Sequence, residues 1–238
     1  MKTALVTGAN KGIGFELATA LLKDGYHVLV GARSVERGQE AVKQLAPLGP
    51  VDFVQVDLSD LTVVDQAAAT INAQFGELNL LVNNAGISGD MRKAAWEYTP
   101  EELMETNHTD FIGPYELTRQ LLPTLEKNHG TIVNVTMPIE PQSYFNPLAY
   151  LTAKAPLNVM IKSMGLGFKE ANKPVSIFGV MPGVISTDLN GNMQGEGVIT
   201  PAEAAALILS FTTDGQDHNG QVINHDGTVA DYTAGSNF

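Results

Sequence analysis

Cysteine is absent from the sequence, and its absence excludes disulfide bonds, thiolate metal sites and a cysteine nucleophile. Basic residues are scarce, because only 14 lysines and arginines accompany 26 acidic residues and the formal net charge is −12. Nucleic acids and anionic membranes are bound through basic surfaces, so neither is expected to be the main partner. No metal site is predicted.

Long apolar runs are also missing. None approaches the roughly 18 residues that a membrane-spanning helix needs. Residues 1–6 form a short predicted strand, which does not resemble a signal peptide. A hydrophobic fraction of 44% with 17% charged residues indicates a globular protein with a large core, and we expect it in the cytoplasm.

Short apolar runs alternate with longer helical patterns along the chain. This alternation predicts an α/β fold, a Rossmann-type doubly wound parallel sheet of about seven strands with helices on both faces. The predicted strands are 3–6, 27–30, 51–56, 78–82, 131–135, 175–180 and 221–224. The predicted helices are 14–23, 35–45, 61–75, 109–127, 148–170 and 202–209. We expect a single domain over 1–238 with a mobile substrate loop at 188–200, whose glycines disfavour a helix.

A glycine-rich turn directly follows the first predicted strand. Its residues are Gly8, Asn10, Lys11, Gly12, Ile13 and Gly14. Glycine permits positive φ and a close backbone approach to a pyrophosphate, and the helix that follows offers free N–H groups to anionic oxygens. The turn therefore predicts a dinucleotide site, although the same glycines could form only a tight connection.

Tyr150 and Lys154 lie four residues apart in a predicted helix, so their side chains share one face. A nearby ammonium favours the phenolate and lowers the pKa of a tyrosine from its usual value near ~10, towards the range of a general acid or base. The alternative is two unrelated residues on a helix surface.

Together, the glycine turn and the Tyr150–Lys154 pair resemble the short-chain dehydrogenase/reductase family. Members of that family move a hydride between a nicotinamide and a carbonyl or alcohol. Two further segments support the resemblance: Asn84, Ala85 and Gly86 after the fourth strand, and Pro182, Gly183, Val184 and Thr187 after the sixth. The resemblance implies that the first segment lies beneath the adenosine and the catalytic site, and that the second holds the nicotinamide carboxamide.

The resemblance also assigns the cofactor's other contacts. Asp57 and Leu58 lie where the family binds adenine, although Asp57 could instead cap the next helix. NAD enzymes carry an acidic residue at the end of the second strand, whereas this chain carries Arg33 there. Arg33 and Lys11 are expected to converge on the 2′-phosphate of NADP(H), unless both are ordinary surface charges. The glycine turn and the segment that ends at Arg33 also resemble the carbonyl reductase branch of the family, which favours NADPH.

The sequence departs from the family at the catalytic serine, which normally bonds the substrate oxygen. Its position aligns with Met137, whose thioether has no proton to donate. Thr136 carries a hydroxyl, but on a strand it is expected to point to the opposite side unless a bulge turns it.

A second departure concerns the family's catalytic asparagine. Gly113 and the Leu121-Leu122-Pro123 motif set the register, which places Asp110 at that position and Asn107 near the N-terminus of a helix. Pro156 is a further oddity, because a proline inside the helix that carries Tyr150 removes a hydrogen bond and is expected to kink or loosen it. These departures indicate a divergent or an engineered member.

We expect an NADPH-dependent reductase of a ketone or aldehyde in which Tyr150 donates the proton and Lys154 supports it. Asp110 suggests a variant that reduces a cationic C=N bond, as in an imine, and the missing serine suggests a catalytically impaired NADPH-binding protein. The substrate is expected to be a small hydrophobic molecule, and the protein a monomer, dimer or tetramer. Candidate pocket residues are Met137, Ile139, Tyr144, Phe145, Met181 and the segment 190–199, although each could equally belong to the core.

Overall fold

Seven parallel strands form one sheet in the computed structural model, which describes residues 1–143 and 145–230. The strands are β1 (Thr3–Thr7), β2 (His27–Ala32), β3 (Val51–Gln55), β4 (Leu78–Asn83), β5 (Thr131–Val135), β6 (Ser176–Met181) and β9 (Val222–Asn224). Their order across the sheet is β3-β2-β1-β4-β5-β6-β9. The chain runs outwards from β1 to β3 and then returns to β4, so the order reverses between β1 and β4, where such sheets bind ligands. The predicted doubly wound sheet is confirmed.

Seven α-helices cover the two faces of the sheet in the described part of the chain. They are α1 (Gly12–Lys23), α2 (Val35–Leu45), α3 (Leu61–Gln74), α4 (Pro100–Asn107), α5 (Gly113–Lys127), α6 (Leu148–Glu170) and α7 (Pro201–Thr213). Buried residues of α1, α2 and α7 form one hydrophobic core with the sheet, and those of α3, α5 and α6 form the other. None of these helices is long and apolar enough to span a bilayer.

The two cores are divided residue by residue along each strand. In β1, Ala4 and Val6 belong to the core beneath α1, whereas Leu5 belongs to the core beneath α5. This alternation follows from the two-residue period of a strand. Because both faces are covered, most strand positions are apolar, which is why the strands stood out as short apolar runs.

Helix α4 is a feature that the sequence patterns did not predict. Thr99 caps it with a capping box, since its hydroxyl accepts from the N–H of Glu102 and the Glu102 carboxylate accepts from the N–H of Thr99. Asn107 is the last residue of α4, and a π-helical segment (His108–Ile112) connects it directly to α5. The expected position of Asn107 near a helix N-terminus is therefore wrong, because the helix begins at the capping box.

Helix α6 runs without interruption from Leu148 to Glu170 through Pro156. The proline has no N–H to donate to the carbonyl of Thr152, four residues earlier. Thr152 is exposed, so water can satisfy that carbonyl. Solvent access therefore accommodates the proline without ending the helix that carries Tyr150 and Lys154.

The segment 188–200 contains regular structure. It begins with a 3₁₀ turn (Asp188–Asn190) and ends with β8 (Val198–Ile199), which pairs in parallel with β7 (Val184–Ile185). Its mobility remains a prediction.

Candidate active site

A cleft of about 700 Å³ opens at the carboxyl edge of the sheet, beside β1 and β4. Most of the predicted site residues line it: Gly8, Asn10, Lys11, Gly12, Ile13, Arg33, Asp57, Leu58, Asn84, Ala85, Gly86, Tyr150, Lys154 and Thr187. The structure therefore brings the glycine turn and the Tyr150–Lys154 pair into one cavity.

Other predicted residues lie outside the lining of this cleft: Gly14, Asp110, Met137, Ile139, Phe145, Met181, Pro182, Gly183 and Val184. Met181 belongs to a hydrophobic core, so its predicted place in a substrate pocket is wrong. Gly14 has a packing role, because a Cβ there would lie 2.4 Å from the carbonyl oxygen of Gly8. Tyr144 lies outside the described residues.

The glycine turn has the geometry that an anion site requires. Gly8 and Gly12 adopt φ values of +68° and +58°, which favour glycine. Helix α1 begins at Gly12, and Lys11 before it makes no side-chain capping bond. The first N–H groups of a helix lack intrahelical partners, so this end of α1 can bind a phosphate.

Thr7 joins the ends of β1 and β4 next to the turn. Its hydroxyl accepts from the N–H groups of Asn84 (3.0 Å) and Ala85 (3.1 Å) and donates to the carbonyl of Val82 (3.3 Å). The side-chain amide of Asn84 donates to the carbonyl of Thr7 at 2.9 Å. The floor of the cleft is therefore held by hydrogen bonds between the two central strands.

Asp57 lines the cleft and follows the end of β3. Its Oδ1 accepts from the N–H of Ser59 at 3.0 Å and from its hydroxyl at 2.6 Å. The cap of α3 is Asp60, which accepts from the N–H of Thr62 at 2.9 Å. The alternative interpretation of Asp57 as the helix cap is therefore wrong, and its predicted contact with adenine remains open.

Basic residues cluster where β2 ends. Arg33 and Arg37 are exposed and line the cleft together with Ser34. Ser34 caps α2, because its hydroxyl accepts from the N–H of Arg37 at 3.3 Å. Two guanidinium groups and the N-terminus of α2 therefore meet at one end of the cleft.

Lys11 has a partner that the sequence did not reveal. Its Nζ lies 2.7 Å from Oδ2 of Asp188, and both side chains are exposed. The hydrogen bond from Lys11 lowers the pKa of Asp188. In this structure the charge of Lys11 is therefore neutralised by the segment after β6, whereas the sequence predicted that it joins Arg33.

Tyr150 and Lys154 lie on the first turns of α6. The Lys154 ammonium is 5.4 Å from the centre of the Tyr150 ring and is almost fully buried. Burial raises the pKa of Tyr150; the charge of Lys154 opposes this rise and the charge of Asp110 adds to it. The expected lowering by the ammonium is present, but burial outweighs it.

Asp110 lies in the π-helical segment and is fully buried. Its Oδ2 is 3.1 Å from Nζ of Lys154, and its Oδ1 accepts from the N–H of Ile87 at 2.8 Å. Gly86 leaves room for this carboxyl, since a Cβ there would lie 2.6 Å from Oδ2.

Burial determines the direction of the shift at Asp110, where it raises the pKa although Lys154 acts to lower it. Complete burial therefore makes this carboxyl harder to ionise than an exposed aspartate. Burial lowers the pKa of Lys154, but the charges of Asp110 and Tyr150 outweigh burial and raise it overall. Because Asp110 is paired and does not line the cleft, its charge gives no support to a cationic C=N substrate.

Thr136 and Met137 follow β5. The Thr136 hydroxyl donates to Oδ1 of Asn158 at 2.6 Å and is buried against α6, so no bulge turns it into the cleft. The carbonyl of Met137 accepts from Nδ2 of Asn158 at 3.3 Å. Neither residue offers a hydroxyl to a substrate in the cleft.

Sequence reasoning missed several residues that line the cleft, among them Ser34, Arg37 and Ser88, and it did not predict that Asp188 of the segment 188–200 pairs with Lys11. Ser34 had a usable signal, because serine before a predicted helix is a typical N-cap and places Arg37 in the first turn. Asp188 had none, since it meets Lys11 across 177 residues.

Comparison with known proteins agrees with this geometry. Residues 2–196 match the family model described as short chain dehydrogenase. The chain is 28% identical over 245 residues to the 3-oxoacyl-(acyl-carrier-protein) reductase FabG of Chlamydia trachomatis, covering 96% of this chain and 97% of that protein. It is 30% identical over 250 residues to the short-chain dehydrogenase anuI of Penicillium roqueforti, covering 96% of each.

Among solved structures, the NADPH-bound carbonyl reductase from chicken fatty liver superposes with a TM-score of 0.86 and 25% identity. The match covers 97% of this chain and 98% of that one. The family model, which matches residues 2–196, shows that the chain belongs to the short-chain dehydrogenase/reductase family of oxidoreductases.

Proposed function

We propose that the protein is an NADPH-dependent reductase of a carbonyl group, with Tyr150 as the proton donor. One observation carries this proposal: a single cleft contains the glycine turn and two arginines at one end, and Tyr150 with Lys154 at the other. A binding protein without chemistry would need only the first end.

The residues at the first end fit a nicotinamide dinucleotide phosphate. At Gly12, a Cβ would meet only the Thr187 methyl group within 4 Å, at 3.9 Å, so the backbone there is open to the cleft. Arg33 and Arg37 offer planar guanidinium groups that suit a 2′-phosphate. Each such charge-assisted contact typically contributes about 1.5–3 kcal/mol. The NADPH bound to the chicken carbonyl reductase supports the same choice of cofactor.

When bound, the cofactor supplies a hydride to the carbonyl carbon. The Tyr150 hydroxyl donates its proton to the substrate oxygen, and its raised pKa keeps that proton in place at neutral pH. The Lys154 ammonium stabilises the phenolate that remains, and Asp110 holds the ammonium at 3.1 Å. Met137 contributes no hydrogen-bond donor, and the loss of one such donor typically slows a reaction by about 10²–10³-fold.

The test follows NADPH oxidation by absorbance with aliphatic ketones, aromatic ketones and a 3-oxoacyl thioester. We expect turnover of at least one class, a higher kcat/KM with NADPH than with NADH, and loss of turnover in Tyr150→Phe. Tyr26→Phe is the matched control, because Lys2 lies 5.8 Å from the Tyr26 ring and that pair is outside the cleft. Tight NADPH binding with no turnover of any substrate would overturn the proposal and identify a cofactor-binding protein.

A further inference from the structure

Asn158 connects α6 to the residues that leave β5. It is buried, with 1% of its surface exposed. Its Oδ1 accepts from the Thr136 hydroxyl at 2.6 Å, and its Nδ2 donates to the Met137 carbonyl at 3.3 Å. One side-chain amide therefore binds two consecutive residues after β5.

The position of Asn158 in α6 relates it to the catalytic pair. Tyr150, Lys154 and Asn158 are spaced four residues apart, so they lie along one face of the helix. Lys154 also contacts this part of β5, since its Nζ lies 3.4 Å from the Val135 carbonyl. The face of α6 that carries Tyr150 is thus bonded to three consecutive residues, from Val135 to Met137.

The other side of the same segment is anchored to the sheet. The N–H of Thr136 donates to the carbonyl of Val180 at 2.9 Å, which extends the pairing of β5 with β6 beyond Val135. Asn158 therefore sets how far Tyr150 stands from a segment that the sheet holds in place.

We propose that Asn158 is a positioning residue for carbonyl reduction, which fixes the segment at Met137 relative to Tyr150. This inference rests on the proposed function. Val135, Tyr150 and Lys154 line the cleft together, so the spacing between α6 and the segment that leaves β5 sets where the Tyr150 hydroxyl stands for proton donation. A misplacement of about 1 Å can slow an enzyme by about 10²-fold.

Thr136→Val tests the inference, because it removes the hydroxyl that donates a hydrogen bond to Asn158 and preserves the shape of the side chain. We expect kcat to fall about tenfold or more, with the NADPH dissociation constant unchanged, and Thr136→Ser to restore kcat. Asn158→Ala is less useful, since it leaves two buried groups unpaired and destabilises the fold.

Thr118→Val is the matched control for stability. Thr118 of α5 is fully buried, and its hydroxyl accepts from the side-chain amide of Asn83 at the end of β4 at 3.1 Å. We expect Thr118→Val to lower the melting temperature as Thr136→Val does while kcat stays unchanged. A wild-type kcat in Thr136→Val would overturn the inference, and so would an equal fall of kcat in the two variants.

A second readout does not need turnover. In protein labelled with ¹³C at the methionine methyl groups, the Met137 signal, assigned with Met137→Leu, should move in Thr136→Val and return in Thr136→Ser. If the wild type reduces no carbonyl, the proposed function fails, and this signal alone decides whether Asn158 positions Met137. An unmoved signal would then overturn the inference.

Discussion

Replacing Asp110 with asparagine should change the pH at which the enzyme oxidises an alcohol. Asp110 and Lys154 are both buried, and their charged atoms lie 3.1 Å apart. Oxidation requires the Tyr150 phenolate, whereas reduction requires the protonated phenol. The charge of Asp110 raises the pKa of Tyr150, so its removal should lower that pKa.

The distances in the site give the size of this effect. The Lys154 ammonium lies 3.1 Å from the carboxylate and 5.4 Å from the centre of the Tyr150 ring. The carboxylate therefore lies within about 9 Å of that ring, where two unit charges interact by about 2 kcal/mol at an effective dielectric constant of about 20. Since one pKa unit corresponds to about 1.4 kcal/mol, we expect the pKa of Tyr150 to fall by about one unit.

The assay compares pH–rate profiles for alcohol oxidation and carbonyl reduction in the wild type and Asp110→Asn. The rate of oxidation rises with pH as Tyr150 ionises, and this rise should move down by about one pH unit. The rate of reduction at neutral pH should change less. Glu126→Gln is the control, because it removes a carboxylate that pairs with Lys173 at 2.8 Å outside the cleft. An unmoved oxidative limb would show that Asp110 does not act on Tyr150. An upward shift would show that Lys154 loses its proton when Asp110 is replaced. It would contradict our expectation that the pKa of Tyr150 falls when the carboxylate is removed.

Four further substitutions test the remaining parts of the site. Met137→Ser should raise kcat/KM for ketone reduction, by up to about 10²–10³-fold, and no gain would contradict the alignment of Met137 with the family's serine. Arg33→Gln and Arg37→Gln should each weaken NADPH binding by about tenfold or more and leave NADH binding unchanged in fluorescence titrations; an equal loss for both cofactors would exclude a 2′-phosphate contact. Asp188→Asn should free Lys11 and tighten NADPH binding more than NADH binding. The gain should be only a few-fold, because an exposed ion pair contributes about 1 kcal/mol or less. Equal changes for both cofactors would contradict a role for Lys11 at the 2′-phosphate.

The sheet was predictable from the sequence because its strands are buried on both faces. The run 131–135 is apolar or β-branched at every position except Asn134, and that strand has the predicted bounds. Helix α4 was not predicted, because its pattern is mostly polar and only the Thr99–Glu102 capping box marks it. Local periodicity thus reveals the buried elements and misses a short, polar helix.

The candidate site was predictable only where its residues are close in sequence. The turn from Gly8 to Gly14 and the Tyr150–Lys154 pair are local patterns, and the structure brings them into one cleft. The contact of Lys11 with Asp188 depends on how distant segments fold, which no local pattern records.

The position of Asp110 was predictable and its ionisation was not. The register set by Gly113 and Pro123 placed Asp110 at the position of the family's catalytic asparagine, and the structure puts it 3.1 Å from Lys154 of the catalytic pair. The direction of the shift in the pKa of Asp110 depends on complete burial, which competes with the attraction of the ammonium. A sequence shows which charges are present but does not show how much water reaches them.

The two departures from the family should have separable consequences. A hydrogen-bond donor to the substrate oxygen stabilises one transition state that oxidation and reduction share, so its loss at Met137 should slow both directions by the same factor. Asp110 acts differently, because it shifts the ionisation of Tyr150 and therefore the pH at which each direction runs. Met137→Ser should consequently raise both rates without moving the pH profiles, whereas Asp110→Asn should move the profiles. If Met137→Ser moved the profiles as well, the residue at 137 would act on Tyr150 and not on the substrate oxygen alone.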